Sequence, residues 1–179
     1  TPASLARLSP PLAAGGYVFY FRHGNTQLDQ EDQKPIVIGD CSTQRILSEQ
    51  GRALADRIGE GFRRARIPVG RIISSPSCRT METALRAFGK AEALDDVYFM
   101  VGIPKAERQR RTEALRQLLA TSPQEGTNLV IVSHMSNLEE AIQLWPEPEG
   151  AGYLFHPDGK GAYRIVGRLA PTLGGELGY

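Results

Sequence analysis

An arginine and a histidine stand side by side at Arg22-His23, directly after the apolar run Val18-Phe19-Tyr20-Phe21 and directly before Gly24. A second histidine, His134, closes another apolar run, Leu129-Val130-Ile131-Val132-Ser133, and a further arginine, Arg79, follows Ser74-Ser75-Pro76. These side chains suit one kind of chemistry. A guanidinium is a permanently charged, forked donor matched to the oxygens of a phosphate or carboxylate. A neutral imidazole can attack phosphorus and hold the group covalently, dividing one hard displacement into two easier ones. A second imidazole beside it can donate hydrogen bonds to the equatorial oxygens as they gain charge. As the nucleophile His23 must be neutral, and neighbouring guanidinium groups disfavour its protonated form. Gly24 is expected to let backbone approach a ligand closely.

Residues so far apart in sequence meet only if the elements carrying them share an edge. Val18-Phe19-Tyr20-Phe21 predicts a fully buried strand that stops at a polar turn. Residues 27–34 are polar and acidic, and a brief apolar run follows at 35–41; a connection of this length is expected to help wall a pocket. Ser48 is a helix N-cap with Glu49 in the first turn, and Leu54, Ala55, Ile58 and Phe62 form the core face of a helix that Pro68 and Gly70 end. Arg71-Ile72-Ile73-Ser74 predicts a second buried strand, leading into a helix with Ser75 as cap, Pro76 at its first position, Arg79 in its first turn and Gly89 as its stop. A third strand is expected within 91–100, then a helix from Pro104 that Pro123 closes, a strand over 128–133 and a helix over 137–145. A hairpin follows, with Tyr153-Leu154-Phe155 and Tyr163-Arg164-Ile165-Val166 flanking Pro157-Asp158-Gly159-Lys160-Gly161. His156 in that hairpin has a structural or exposed role, and residues 1–11 suggest a short leading helix. Strands alternating with helices give an α/β fold with a mainly parallel sheet, whose ligands sit at the carboxyl ends of the strands.

The 179 residues are expected to form one domain, 1–179. Apolar content of 41% and charged content of 23% are ordinary for a water-exposed fold, and no run of about 18 apolar residues exists to span a membrane. A net charge of +1 gives no footprint for nucleic acid. The basic groups Arg63-Arg64-Ala65-Arg66 and Arg108, Arg110, Arg111 read as solvated helix ends or faces. Two cysteines, Cys41 and Cys78, are compatible either with one disulfide, worth about 4 kcal/mol in the chain-entropy account, or with two reduced thiols. The cysteine pair and the start at Thr1 without an initiator methionine lead to the expectation of a periplasmic or secreted protein, with a cytoplasmic one the alternative. Three histidines and no His-Glu-x-x-His spacing argue against a metal-dependent hydrolase with His23 and His134 as ligands, and no metal or other cofactor is expected. Oligomeric state is not readable.

Arg22-His23-Gly24 after a buried strand, Ser74-Ser75-Pro76-x-x-Arg79 followed by Thr83-Ala84, and a late strand ending in His134 resemble the histidine phosphatase superfamily, the phosphoglycerate mutase-like family. Leu47-Ser48-Glu49-Gln50-Gly51-Arg52 is similar to that family's start of the first helix. The resemblance implies a three-layer α/β/α sandwich and a phosphohistidine intermediate on His23, with Arg22, Arg79 and His134 around the phosphate and Asn25 or Thr26 adding a donor. It implies a phosphomonoester phosphatase acting on a small phosphorylated substrate or a phosphoprotein. Met135 after His134 departs from the acid phosphatase and phytase branch, where an acidic residue serves as proton donor, and the Glu-His segment of the mutases has no counterpart. The smaller phosphatase branch often takes its acid from the loop after the third strand, which makes Asp96 the first candidate and Asp95 the second. Glu82 is placed to pair with Arg79. The alternatives are a homologue that binds a phosphorylated ligand without turning it over and a phosphoglycerate mutase.

Overall fold

The computed structural model describes residues 11–171, so all but the end of the expected leading helix lies outside the described residues. In chain order the elements are β1 (Val18–Arg22), α1 (Glu49–Arg64), β2 (Val69–Ser74), α2 (Cys78–Phe88), β3 (Glu92–Ala93), α3 (Lys105–Ala120), β4 (Asn128–Ser133), α4 (Met135–Ile142), β5 (Gly152–Pro157) and β6 (Tyr163–Leu169). The six strands form one sheet in the order β3-β2-β4-β1-β5-β6. The first four run parallel, and β5 and β6 close one side antiparallel.

The apolar runs are unbroken because both sheet faces are covered. Phe19 and Phe21 of β1, with Val130 and Val132 of β4, point to a core shared with Leu54, Ile58 and Phe62 of α1 and Ala84 and Ala87 of α2. Val18, Tyr20 and Ile131 point the other way, to Leu115 and Leu119 of α3 and Leu138 and Ala141 of α4. The result is the expected three-layer sandwich. No helix among the described residues is long and apolar enough to cross a membrane.

Gly70, expected to end the first long helix, lies inside β2, which starts at Val69, and three further differences from the expected boundaries bear on the site. The second helix starts at Cys78 with Ser77 as its cap, because the Ser75 hydroxyl is engaged by His134 instead; Pro76 precedes the helix. β3 is only two residues long, since Leu94 leads at once into a single 3-10 turn over Asp95–Val97. Helix α4 begins at Met135 rather than 137, with His134 itself in the extended conformation of an N-cap, and it ends at Gln143 in the left-handed region.

Close approach of β1's turn to α1 depends on small residues. A Cβ on Gly51 would lie 2.0 Å from the Asn25 carbonyl oxygen, and one on Gly24 would lie 2.8 Å from that of Gly51. The missing side chain of Gly24 is therefore used against a helix, not against a ligand as its sequence context suggests. Gly51→Ala is expected to cost about 1–3 kcal/mol, the usual penalty for overpacking. Chemical denaturation measures it, and an unchanged midpoint contradicts the tight contact.

Candidate active site

Parallel pairing of β1 with β4 in register, Phe21 against Val132 and Arg22 against Ser133, puts the next residues of both strands side by side. These are His23 and His134. Their ring centroids lie 5.7 Å apart at 64°, and both side chains are buried at 2% exposure. On the other flank of β4, β2 pairs Ser74 with Val132, which brings Ser75 beside His134 and starts α2 with Arg79 at the same edge. Arg79 is 1% exposed. Arg22 emerges from the end of β1, with its Nη1 near the Met135 sulfur at 3.7 Å and the Pro146 carbonyl at 3.5 Å. The expected quartet Arg22, His23, Arg79 and His134 is thus brought together.

Each imidazole has one nitrogen committed. The Nδ1–H of His23 donates to the Gly24 carbonyl at 2.9 Å, which leaves the lone pair on Nε2. For His134 the Ser75 hydroxyl lies 2.8 Å from Nε2, and with that hydroxyl donating, the ring proton sits on Nδ1. Tyr20, buried and held protonated by that burial, donates its hydroxyl to the His134 carbonyl. The Phe99 ring packs 5.0 Å from His134, and the Arg79 guanidinium sits 5.4 Å over the same ring. Both imidazoles are held well below the ordinary value of 6.5, first by burial and then by the Arg79 guanidinium. They are neutral, as a nucleophile must be.

Arg45 joins this cluster, and sequence reasoning missed it. Its charge helps depress both histidines and acts on Arg22 and Arg79 as well. The signal was there, two residues before the buried Leu47 and three before the Ser48 cap, but nothing local told where the side chain would go. The cluster's buried donors include the Nε atoms of Arg22, Arg45 and Arg79 and Nδ1 of His134, all without a hydrogen-bond partner among the described residues. Buried donors in folded proteins are nearly always satisfied, and leaving one unpaired costs about 1–3 kcal/mol or more when charged. A tetrahedral oxyanion presents the acceptors this set lacks.

The carboxylates are arranged otherwise than expected. Asp96 lies 2.5 Å from Arg110 of α3, and among the described residues neither it nor Asp95 pairs with a site arginine or histidine. The acidic pair lies within a 3-10 turn that Leu94 precedes, where Asp96 meets the surface arginine. Glu82 pairs with Arg52 of α1 at 2.6 Å, not with Arg79. The carboxylate on Arg79 is that of Asp32, with Oδ1 3.1 Å from Nη1. Glu149, in the turn before β5, accepts the Thr26 hydroxyl at 2.9 Å and stands 3.5 Å from Nδ1 of His23. The Thr26 proton is therefore engaged, while the Asn25 carbonyl accepts from the Ser48 backbone and hydroxyl at 2.9 and 3.2 Å.

The loop between β1 and α1 is fastened to the site from several sides, as a pocket wall requires. Cys41 and Cys78 are disulfide-bonded with 5.7 Å between their Cα atoms, which ties the loop to the first turn of α2 beside Arg79. Gln44 bridges the same two segments, accepting from the Cys78 N–H at 2.9 Å and donating to the Val37 carbonyl at 3.1 Å. His156 stacks on Tyr17 at 4.5 Å, in the hairpin rather than the site. Among the described residues no group of three or more His, Cys, Asp or Glu side chains is arranged to hold a metal ion.

Two outcomes are expected from this arrangement. Unfolding exposes both imidazoles, which take up protons below their ordinary pKa of about 6.5, so stability is full above that pH and is lost as pH falls through the window beneath it. The slope reaches about 1.4 kcal/mol per pH unit for each imidazole. Denaturant titrations between pH 7 and pH 5 measure it, and His134→Asn should halve the slope attributable to the pair; a flat profile contradicts neutral burial. Arg45→Ala should weaken inorganic phosphate binding about 10- to 100-fold, the worth of one charge-assisted hydrogen bond set. Calorimetric titration checks this, and unchanged affinity removes Arg45 from the site.

The sequence profile of the histidine phosphatase superfamily, branch 1, matches residues 18–98. No curated protein matches the chain closely enough to count as a relative. Among solved structures, a protein histidine phosphatase, SixA, complexed with tungstate superposes with a TM-score of 0.62 at 18% identity, covering 87% of this chain and 97% of its own. The alpha-ribazole phosphatase of Shigella flexneri superposes at 0.65 with 13% identity, over 87% and 96% of the two chains. A phosphoserine phosphatase variant from Entamoeba histolytica, solved with phosphoserine, gives 0.59 at 13%, over 88% and 98%. At these identities the likeness speaks for the fold, which is the phosphoglycerate mutase-like sandwich. The segment similar to the branch 1 profile holds β1, α1, β2 and α2, hence Arg22, His23, Arg45 and Arg79.

Proposed function

We propose that the protein is a phosphomonoester phosphatase that works through a phosphohistidine on His23. The observation that carries this reading is the commitment of Nδ1 to the Gly24 carbonyl, which leaves a neutral, buried Nε2 as nucleophile within a cluster of unpaired cationic donors. In the first step the Nε2 lone pair attacks phosphorus and the ester oxygen departs with a proton. In the second, water attacks the phosphohistidine, the N–P bond breaks and its electron pair returns to Nε2. Arg22, Arg45, Arg79 and Nδ1–H of His134 bind the non-bridging oxygens throughout and strengthen as charge builds on them. Asn25, one residue from Gly24, is within the same turn and supplies a further amide there. Glu149 beside Nδ1 favours the cationic character the ring acquires when phosphorylated.

The solved neighbours act, by their descriptions, on phosphohistidine in protein, on ribazole phosphate and on phosphoserine, which supports a small phosphorylated substrate or a phosphoprotein for this chain. The disulfide supports an oxidising compartment, periplasmic or extracellular. The displacement of Asp96 onto Arg110 favours a second reading, a protein that holds a phosphorylated ligand without hydrolysing it.

One experiment separates the two. Quenching the protein during incubation with a phosphorus-32-labelled phosphomonoester should trap label that is stable to alkali and lost in acid, as a phosphoramidate is. His23→Ala should form none and should lose activity about a thousandfold or more while keeping its fold. A wild-type protein that binds phosphate yet never labels supports the binding protein, and an His23→Ala variant with substantial turnover overturns the nucleophile.

A further inference from the structure

A phosphatase acting on an alkyl phosphate must protonate the departing oxygen, because an alkoxide is too poor a leaving group to depart unaided. Asp96 is turned onto Arg110, Asp95 pairs with no site arginine or histidine among the described residues, and Glu149 stands at Nδ1 of His23, on the side of the ring away from the attacking nitrogen. A further carboxylate is already inside the site. Asp32 belongs to the long loop rather than to the strand edge, and its side chain is 22% exposed. Oδ1 takes both of its contacts, with Arg79 Nη1 at 3.1 Å and with the Arg45 N–H at 2.8 Å. Oδ2 has no partner among the described residues. The same guanidinium that serves the phosphate thus holds a carboxylate with one oxygen free.

Resting on the phosphatase reading, we infer that Asp32 is the proton donor to the leaving group and the base that activates water in the second step. The groups facing it are the Arg79 guanidinium from α2, the Arg45 peptide of its own loop and the Tyr98 phenol beyond β3. A phosphate dianion sharing that guanidinium brings like charge beside the carboxylate. As the P–O bond breaks, Oδ2–H passes its proton to the ester oxygen, releasing the alcohol and leaving Asp32 ionised. Water then attacks the phosphohistidine while Asp32 takes its proton, the P–N bond breaks and inorganic phosphate leaves with the cycle closed. The role was invisible in sequence because Asp32 is one of several loop acids, and only the path of the loop brings it to Arg79.

The test is Asp32→Asn, which keeps the shape and an acceptor for both contacts, examined with two substrates. In single turnovers p-nitrophenyl phosphate, whose phenolate leaves without a proton, should phosphorylate the variant within about threefold of the wild-type rate. Phosphoserine, with an alkoxide to expel, should slow by about 10²- to 10⁴-fold. The labelled phosphoenzyme should also accumulate in the variant, because its hydrolysis lacks the base. Asp96→Asn should leave both rates unchanged. Equal loss on both substrates overturns the assignment in favour of a role through Arg79 alone, and no loss on either removes Asp32 from the chemistry. Failure of the wild-type protein to form any phosphoenzyme overturns the phosphatase reading itself, which distinguishes the two failures.

Discussion

Cationic and hydrogen-bond-donating groups gathered in one buried place repel each other and want for acceptors. Three arginines and a histidine do this here, with Nε of Arg22, Arg45 and Arg79 and Nδ1 of His134 unpaired among the described residues. Such a cluster disfavours the folded state by itself, since each desolvated donor forgoes its hydration without a replacement. It survives because the rest of the sheet and its helices are well packed, and it is stabilised by any dianion that enters. Burial first and the same repulsion second keep both imidazoles neutral, so the site is both a phosphate trap and a nucleophile's environment.

Rigidity around the cluster follows from where its members sit. Two histidines on adjacent parallel strands in register cannot drift apart without breaking the sheet's centre, where β1 and β4 are buried on both faces. Arg79 is fixed by α2, which packs on α1 so closely that a Cβ on Gly59 would lie 2.0 Å from the Ala87 carbonyl oxygen. Arg45 and Asp32 are instead fixed by a loop, and loops are the mobile parts of folds. The disulfide, the Gln44 bridge and the Asp32 contacts with Arg79 and the Arg45 peptide counter this by tying the loop to the start of α2. The Cys41–Cys78 bond and the phosphate site are thereby coupled.

What was legible in the sequence was local. Unbroken apolar runs gave β1 and β4 and hence the convergence of His23 and His134; the Ser48 cap, the place of Arg79 and the Gly89 stop were equally plain. Charged side chains on the long loop were not legible, because tertiary contacts rather than periodicity decide where they point. That is why Arg45 and Asp32 went unnoticed; tertiary contacts likewise decide that Asp96, expected as the acid, meets Arg110 and that Glu82, expected on Arg79, meets Arg52. Ser75 was misplaced for a related reason: a serine suited to capping a helix was taken up by a histidine distant in sequence.

The account stands or falls on whether one tetrahedral anion reaches all of these groups together. A crystal structure of the protein soaked with tungstate measures this directly. The anion should lie in hydrogen-bond reach of Arg22, Arg45, Arg79 and Nδ1 of His134, with its central atom about 3–3.5 Å from Nε2 of His23. An anion bound elsewhere, or one here with Nε2 of His23 turned from it, contradicts the claim.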